Sequence, residues 1–311
     1  MPSTECWRGR IDSKTDLAQF RLHQIVQMTN LNEAMTKESS FCIIGFESDE
    51  GVKRNKGRVG ASEAPNEIRK ALAAIPVTLG SGKKLMDAGN IICENEDLES
   101  AQEELGQHLS RLYQYNKTPL ILGGGHETLY GHYLGARNFI GPDASLGIIN
   151  IDAHFDLRDD ERPSSGTMFK QILANDPNSH YLCLGIQELA NTKALFQSAN
   201  EYNCKYILEE DITKNHYEAT FKAIDEFSQH DYVIVTLCTD SILASAAPGV
   251  SAPSPFGLEP KVVRTLLRYI VSKRNVLSFD LSEVNPRLDL DGRTTKLAAL
   301  LIAEAMNHFH K

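Results

Sequence analysis

The sequence lacks any hydrophobic run long enough to cross a membrane. Hydrophobic residues make up 41% of its 311 positions, yet no apolar run approaches the roughly 20 residues that a membrane helix requires. Residues 1–16 also lack an apolar core of signal-peptide length. We therefore expect a cytoplasmic protein with no membrane partner.

Clusters of positive charge are also missing. The chain has 32 Lys and Arg against 41 Asp and Glu, a formal net charge of -9, and no Lys/Arg-rich run. Nucleic acids and anionic membrane surfaces are bound through concentrated positive fields. The composition therefore excludes a nucleic-acid partner and favours a small-molecule substrate.

Closely spaced cysteine pairs, repeats and flexible linkers are absent as well. The six cysteines are scattered at Cys6, Cys42, Cys93, Cys183, Cys204 and Cys238, and a cytosolic chain of this length does not need disulfides. No low-complexity tract interrupts the sequence. Because large α/β sheets often reach this size as one unit, we expect a single domain over residues 1–311.

Short apolar runs rich in β-forming residues recur along the chain. They predict about eight strands, at 41–46, 85–93, 119–124, 145–152, 181–186, 205–208, 232–238 and 275–281. Amphipathic helical stretches lie between them, among others at 64–75, 98–114, 261–273 and 294–309. Alternation of strand and helix predicts an α/β fold with a mostly parallel sheet covered on both faces.

Two long irregular stretches, 47–63 and 244–260, are rich in Gly, Ala, Pro and Ser and are candidate active-site loops. In parallel sheets, ligands bind beyond the carboxyl ends of the strands. The polar residues that directly follow the apolar runs are therefore the first candidates for function.

The run 145–152 leads into Asp152, His154 and Asp156, which occupy alternate positions. In an extended segment, three such side chains point to one face. A single residue of this kind would more often be a cap or a surface group, but two carboxylates and an imidazole together favour a divalent metal such as Mn²⁺.

Three further strand ends carry residues of the same type. His126 follows three glycines after the run 119–124, and Cys238 and Asp240 end the run 232–238. The last apolar run ends in SFDLSEVNP, which contributes Asp280 within the run and Glu283 just after it, and an acidic residue at such a place must be paired, solvated or functional. A glycine-rich turn before a histidine is weak evidence alone. The prediction of a metal site therefore depends on finding such residues at several strand ends together.

These motifs, in this order, resemble the signature regions of the arginase superfamily. They are GGGHE (123–127), DAHFD (152–156) and the CTD…PGVSAP segment (238–253), with SEVNP (282–286) and the loop and helix at 51–69 as further matches. The resemblance covers nearly the whole chain. It implies a three-layer αβα fold around an eight-stranded sheet and two Mn²⁺ ions per subunit.

The resemblance also implies the metal ligands. One ion would take His126, Asp152, Asp156 and Cys238, and the other would take Asp152, His154, Cys238 and Asp240, so that Asp152 bridges the two. Most members of the superfamily have Asp where this chain has Cys238. A thiolate is softer than a carboxylate and shifts metal preference toward Zn or Fe.

Cysteine followed by PGVSAP resembles the formimidoylglutamase branch, which implies hydrolysis of N-formimidoyl-L-glutamate to L-glutamate and formamide in histidine degradation. Glu283 would pair with the amidine group, and Asp156 would carry the proton to the leaving nitrogen. The substrate has two carboxylates, for which Arg158 offers a bidentate clamp. Arg162, Ser165 and Gly166 are further candidate binding residues.

Two alternatives stay open. The shared metal core also suits an arginase or an agmatinase, because ligand sets do not determine substrate. Cys238 leaves room for an arginase-like protein that has lost catalysis and serves as a binding or scaffold subunit. We also expect a homo-oligomer, as is common in the superfamily.

Overall fold

The computed structural model describes residues 4–31, 35–80 and 83–310, so the predicted domain of residues 1–311 includes positions outside these ranges. Within them, nine strands form one sheet in which every pairing is parallel. The strands are β1 (Gln27–Met28), β2 (Ser40–Glu47), β3 (Leu85–Ile92), β4 (Lys117–Leu122), β5 (Leu146–Ile151), β6 (Ser179–Ile186), β7 (Lys205–Leu208), β8 (Tyr232–Cys238) and β9 (Val276–Ser282).

All eight predicted strands are confirmed, and the described residues contain one more than predicted. The additional strand, β1, has two residues and pairs with β3 at one edge of the sheet. A strand this short is not recognisable from hydrophobic periodicity. The central strands are buried along almost their whole length, which explains why they appear as continuous apolar runs.

Nine α-helices lie in the described part of the chain. They are α1 (Glu50–Arg54), α2 (Ala64–Ala73), α3 (Leu98–Gln114), α4 (Thr128–Ile140), α5 (Met168–Asn175), α6 (Lys193–Glu201), α7 (Glu218–Phe227), α8 (Pro260–Val271) and α9 (Arg293–His308). The four helices predicted by position are confirmed as α2, α3, α8 and α9. The prediction that 47–63 is irregular is wrong in part, because α1 forms one short turn within it.

Alternate residues of the strands contribute to two separate hydrophobic cores. On β8, for example, Val233 and Val235 face the core that α2, α7, α8 and α9 cover, whereas Ile234 faces the core under α3, α4, α5 and α6. This two-sided burial produces the three layers that the sequence predicts.

The strand order is β1-β3-β2-β4-β9-β8-β5-β6-β7. Strands β4, β9, β8 and β5 are therefore consecutive neighbours. The candidate metal residues lie at the ends of β4, β8 and β5, and Glu283 follows β9. Because the strands are parallel, their carboxyl ends meet at one edge of the sheet. No helix in the described residues has both the length and the apolar character needed to cross a membrane.

Candidate metal centre

The segment after β5 brings Asp152, His154 and Asp156 together by turning, not by continuing as a strand. The strand ends at Ile151, the backbone N–H of His154 donates to Asp152 Oδ1 at 2.8 Å, and Asp156 adopts a left-handed φ of 51°. The extended geometry assumed from the spacing is therefore wrong.

The alternation of polar and apolar side chains after β5 nevertheless has a structural reason. The intervening Ala153, Phe155 and Leu157 are buried. Their burial anchors one side of the turn in the core, so the three polar side chains share the other side. The prediction of a common face therefore holds although its geometry differs.

The loop after β4 places His126 beside these carboxylates. His126 Nδ1 lies 2.9 Å from Asp156 Oδ2 and 3.1 Å from Asp152 Oδ2. The preceding glycines are required by close packing, since a Cβ at Gly124 would lie 1.8 Å from the carbonyl oxygen of Ser48. Glycine lets the backbone approach the neighbouring loop at this distance.

The end of β8 completes the group with Cys238 and Asp240. The thiol of Cys238 donates to Asp240 Oδ1 at 2.9 Å, and Asp240 Oδ2 lies 3.5 Å from His154 Nδ1. Both residues are buried. Cys238 thus faces the other candidate ligands and does not pack into the hydrophobic core alone.

These residues form two potential metal-binding groups that share Asp152. One consists of His126, Asp152 and Cys238, and the other of Asp152, His154 and Asp240; within each group the ligand atoms lie within 4.8 Å of one another. Asp156 adjoins the first group through its contact with His126. A shared carboxylate between two ligand groups is the arrangement that a pair of bridged cations requires.

Glu283 follows β9 and forms part of the same wall. Its Oε1 accepts a hydrogen bond from the backbone N–H of His126 at 2.9 Å, and its φ is 69°. Burial raises the pKa of Glu283 well above its ordinary value, and the charges of Asp240 and Glu127 add to the effect. A cationic group placed against this carboxylate would offset that cost.

Negative charge exceeds positive charge among the protein groups of this centre. Burial raises the pKa of Asp156 to about 6, with the charge of Asp152 adding to it, and burial raises the pKa of the Cys238 thiol well above its usual range. Burial also opposes a charged His126, but hydrogen bonds to Asp152 and Asp156 prevail and raise its pKa. Buried carboxylates at this density need cations, and the mixed O, N and S donors suit divalent metals.

A cavity of about 360 Å³ opens onto the centre, and three basic side chains line it together with these acidic groups. Its lining includes the ligand candidates His126, His154, Asp156, Cys238 and Asp240, together with Glu283, Ser165, Lys56, Arg58 and Arg158. Both predicted active-site loops contribute to it, the first through residues 52–58 and the second through Ser251 and Ala252. The cavity thus combines an anionic interior with cationic side chains.

Of the candidate substrate-binding residues, Arg158, Ser165 and Gly166 lie together. The Arg158 backbone N–H donates to the Gly166 carbonyl at 2.9 Å, and a Cβ at Gly166 would lie 2.9 Å from Arg158 Cδ. The structure does not bring Arg162 to this cavity. Arg162 is exposed, and its charge acts on Glu96 and Glu99.

Two cavity cations, Lys56 and Arg58, were not singled out from the sequence. Arg58 donates from Nε and Nη2 to the carbonyl oxygen of Ser251 at 3.0 and 2.8 Å, so it ties the first loop to the second. Lys56 has a left-handed φ of 61°. The sequence did predict the loop 47–63, which contains both residues, as part of the active site. The composition of a loop does not show which of its basic residues line a cavity.

Comparison with known proteins identifies the family that the sequence motifs resemble. The Arginase family model matches residues 39–307. A formimidoylglutamase of Geobacillus sp. (strain WCH70) is 54% identical over 313 residues, covering 100% of this chain and 96% of its own. A formimidoylglutamase of Clostridium tetani (strain Massachusetts / E88) is 40% identical, covering 98% of this chain and 94% of its own.

Solved structures share the fold. The crystal structure of formimidoylglutamase from Bacillus subtilis subsp. subtilis str. 168 superposes with a TM-score of 0.84 at 24% identity, covering 96% of this chain and 94% of that one. That of Trypanosoma cruzi formiminoglutamase with Mn²⁺₂ gives a TM-score of 0.81 at 23% identity, covering 93% of this chain and 97% of that one. At these identities the likeness establishes the fold.

Removal of the shared carboxylate should affect both metal-binding groups, whereas removal of an unshared one should affect a single group. We expect Asp152→Asn to lose both equivalents of bound divalent ion and Asp240→Asn to lose one. Metal content after dialysis, measured by inductively coupled plasma mass spectrometry, checks this. Asp159→Asn is the matched control, since Asp159 is exposed and pairs with Lys170. Equal metal loss in the Asp152 and Asp240 variants would contradict the shared role.

Proposed function

The chain belongs to the arginase family, and from this premise we propose that it is a formimidoylglutamase, which hydrolyses N-formimidoyl-L-glutamate to L-glutamate and formamide. Full-length relatives at 50–54% identity carry this activity in their names. The observation that carries the proposal is the cavity, where acidic groups for metal and amidine adjoin cations suited to a substrate with two carboxylates.

We further propose that the two ligand groups hold two Mn²⁺ ions. One ion would be held by His126, Asp152, Asp156 and Cys238, and the other by Asp152, His154, Cys238 and Asp240. The two groups that share Asp152 support this, as does the Mn²⁺₂ of the Trypanosoma cruzi protein. Bound there, the ions would supply Lewis-acid activation of water as the nucleophile.

Recognition of the substrate carboxylates is assigned to Arg158, Lys56 and Arg58. Among the described residues, neither the Lys56 ammonium nor the Arg158 guanidinium forms an ion pair or side-chain hydrogen bond. Both are therefore available to a ligand. A guanidinium binds a carboxylate through two parallel hydrogen bonds. Gly166 supports Arg158 by accepting its backbone N–H, and Ser165 lines the cavity as a further donor to the substrate. Arg162, outside the cavity, has no place in this arrangement.

Glu283 would hold the formimidoyl group. The His126 backbone N–H fixes its carboxylate at the cavity wall, and a cationic amidinium would supply the positive charge that this buried acid lacks. Pairing at this point would orient the amidine carbon toward the nucleophile and away from the carboxylate clamp.

Asp156 is proposed to carry the proton to the departing glutamate nitrogen. Its carboxylate lies beside the ligand groups, 2.9 Å from His126 Nδ1, and a positioned carboxylate can relay a proton to a leaving group. Asp156 also lines the cavity. Attack of water on the amidine carbon would give a tetrahedral intermediate. Cleavage of the bond from this carbon to the glutamate nitrogen, with protonation of that nitrogen, then releases formamide and L-glutamate.

Four wider assignments accompany this function. The substrate places the enzyme in histidine breakdown, and a cytoplasmic location agrees with six cysteines that are all free of disulfides. A continuous sheet from β1 to β7 supports one hydrolase domain over residues 1–311. The homo-oligomer stays a prediction.

The substrate assignment is tested by following products. Protein stripped with chelator and reloaded with Mn²⁺ should release glutamate from N-formimidoyl-L-glutamate, and should release no ornithine from L-arginine and no putrescine from agmatine. The stripped protein serves as the control and should release none. Ornithine or putrescine as the main product would assign the enzyme to another branch of the family, and no product from any substrate would favour the scaffold alternative.

Glu283→Gln should lower kcat by about 100-fold or more, because a neutral amide cannot pair with the amidinium or hold its carbon in place. The amide oxygen can still accept the His126 N–H, so bound metal should be unchanged. Glu50→Gln is the matched control, since Glu50 is also buried but pairs with Arg54 and does not line the cavity. Near-normal kcat in the Glu283 variant would reject its proposed role.

Arg158→Gln should lower kcat/KM for N-formimidoyl-L-glutamate by about 10- to 100-fold, the effect of losing a charged hydrogen bond. Steady-state kinetics at constant ionic strength measure this. Arg162→Gln removes the same charge four residues away but outside the cavity, and should leave kcat/KM within about twofold of wild type. An equal loss in both variants would mean that general electrostatic attraction, not a clamp, binds the substrate.

A further inference from the structure

A chain of buried hydrogen bonds leads from His126 into the sheet, and the residues beyond His126 have no part in the function proposed above. It passes through Thr236, Asp280, His132, Ser278 and Tyr113, which lie on β8, β9, α4, β9 and α3. The first four have no exposed surface, and Tyr113 is 6% exposed. Because no bulk solvent reaches such groups, their hydrogen bonds must be satisfied among themselves.

The direction of the first two bonds follows from chemistry. Asp280 Oδ1 accepts two hydroxyl donors, Thr236 at 2.7 Å and Ser282 at 3.3 Å. A hydroxyl has one hydrogen. Thr236 Oγ1 can therefore only accept from His126 Nε2, which lies 3.0 Å away. The hydrogen of this pair must be on His126 Nε2.

The rest of the chain keeps Asp280 an acceptor. His132 Nδ1 lies 2.7 Å from Asp280 Oδ2 and donates to it. His132 Nε2 then accepts from Ser278 Oγ at 2.5 Å, and Ser278 accepts from the Tyr113 hydroxyl at 2.5 Å. Burial raises the pKa of Tyr113 and so keeps it a hydroxyl donor. Every donor in the chain thus points toward Asp280.

We propose that Asp280 is a positioning residue that acts through Thr236 to keep a hydrogen on His126 Nε2, so that Nδ1 faces Asp152 and Asp156 as a metal ligand. The reverse polarity would turn the only hydrogen of a neutral His126 ring toward the ligand position. This inference rests on the proposed metal site. The geometry that carries it is the run of short contacts from His126 Nε2 through Thr236 to Asp280, together with the Ser282 hydroxyl, which donates to the same Asp280 oxygen at 3.3 Å.

Metal affinity tests the proposal without using activity. We expect Thr236→Val, which removes the hydroxyl at nearly constant volume, to weaken Mn²⁺ binding to the stripped protein by about 10- to 100-fold, the usual effect of losing a partner of a ligating histidine. Thr236→Ser should retain wild-type affinity. Tyr113→Phe removes an equally buried hydroxyl at the far end and is the matched control. Competition with a chelator of known affinity gives each Kd.

The side-chain ¹⁵N resonances of His126 in the metal-free protein, recorded at a pH high enough for the ring to be neutral, give a second readout. Wild-type protein should show a hydrogen on Nε2. In Asp280→Asn, the new amide can donate to Thr236, whose hydroxyl is then free to donate to His126 Nε2, and the hydrogen should be found on Nδ1 alone. Thermal unfolding confirms that each variant folds. If Asp280→Asn does not fold, Thr236→Val and Thr236→Ser carry the test.

The results separate this proposal from the function. Wild-type Mn²⁺ affinity in Thr236→Val, or a bare Nε2 in the wild-type protein, would overturn the positioning role whatever the substrate. A wild-type protein that binds Mn²⁺ but does not hydrolyse N-formimidoyl-L-glutamate would overturn the substrate assignment and leave the positioning role to be decided by the same Kd values. Equal weakening in Tyr113→Phe would show a general loss of packing and reject the specific role of Thr236.

Discussion

Asp152 has no exposed surface, so its charge must be balanced inside the protein. Burial alone would favour the neutral acid, but hydrogen bonds from His126 and His154 reverse this and lower its pKa. The two histidines do not suffice for the whole group, because the pKa values of Asp156, Cys238 and Glu283 remain raised. This unbalanced negative charge is the constraint from which the cation-binding character of the centre follows.

The backbone around the centre is shaped to bring these charges together. Asp156, Glu283 and Lys56 all adopt left-handed φ values between 51° and 69°, a region that non-glycine residues avoid. Such conformations persist only where the surroundings over-determine them, and they concentrate at functional sites. For Glu283 the surroundings include the His126 backbone, which bonds its carboxylate, and the Gly124 carbonyl, which accepts its N–H at 2.8 Å.

Much of the fold was predictable because strands buried on both faces leave continuous apolar runs. The candidate ligands were predictable for a related reason, since parallel strands direct their carboxyl ends to one edge. The short strand β1 and helix α1 carry too few residues for a periodic signal. The left-handed turn at Asp156 depends on tertiary packing, not on local preference. For the same reason the sequence could not tell that Lys56 and Arg58 reach the cavity while Arg162 does not.

The charged groups at the cavity and the hydrogen bonds behind the candidate ligands form two successive layers of the centre. At the cavity, the basic side chains of Lys56, Arg58 and Arg158 adjoin the acidic groups to which we assign the binding of metal and amidinium. A substrate with carboxylates at one end and an amidine at the other can satisfy both regions in only one orientation. Behind the ligands, the donors from Tyr113 to His132 and from His126 to Thr236 converge on Asp280. Under the proposed function, substrate specificity and metal binding would therefore depend on one arrangement of charge and hydrogen-bond direction, which extends from the cavity into the interior of the sheet.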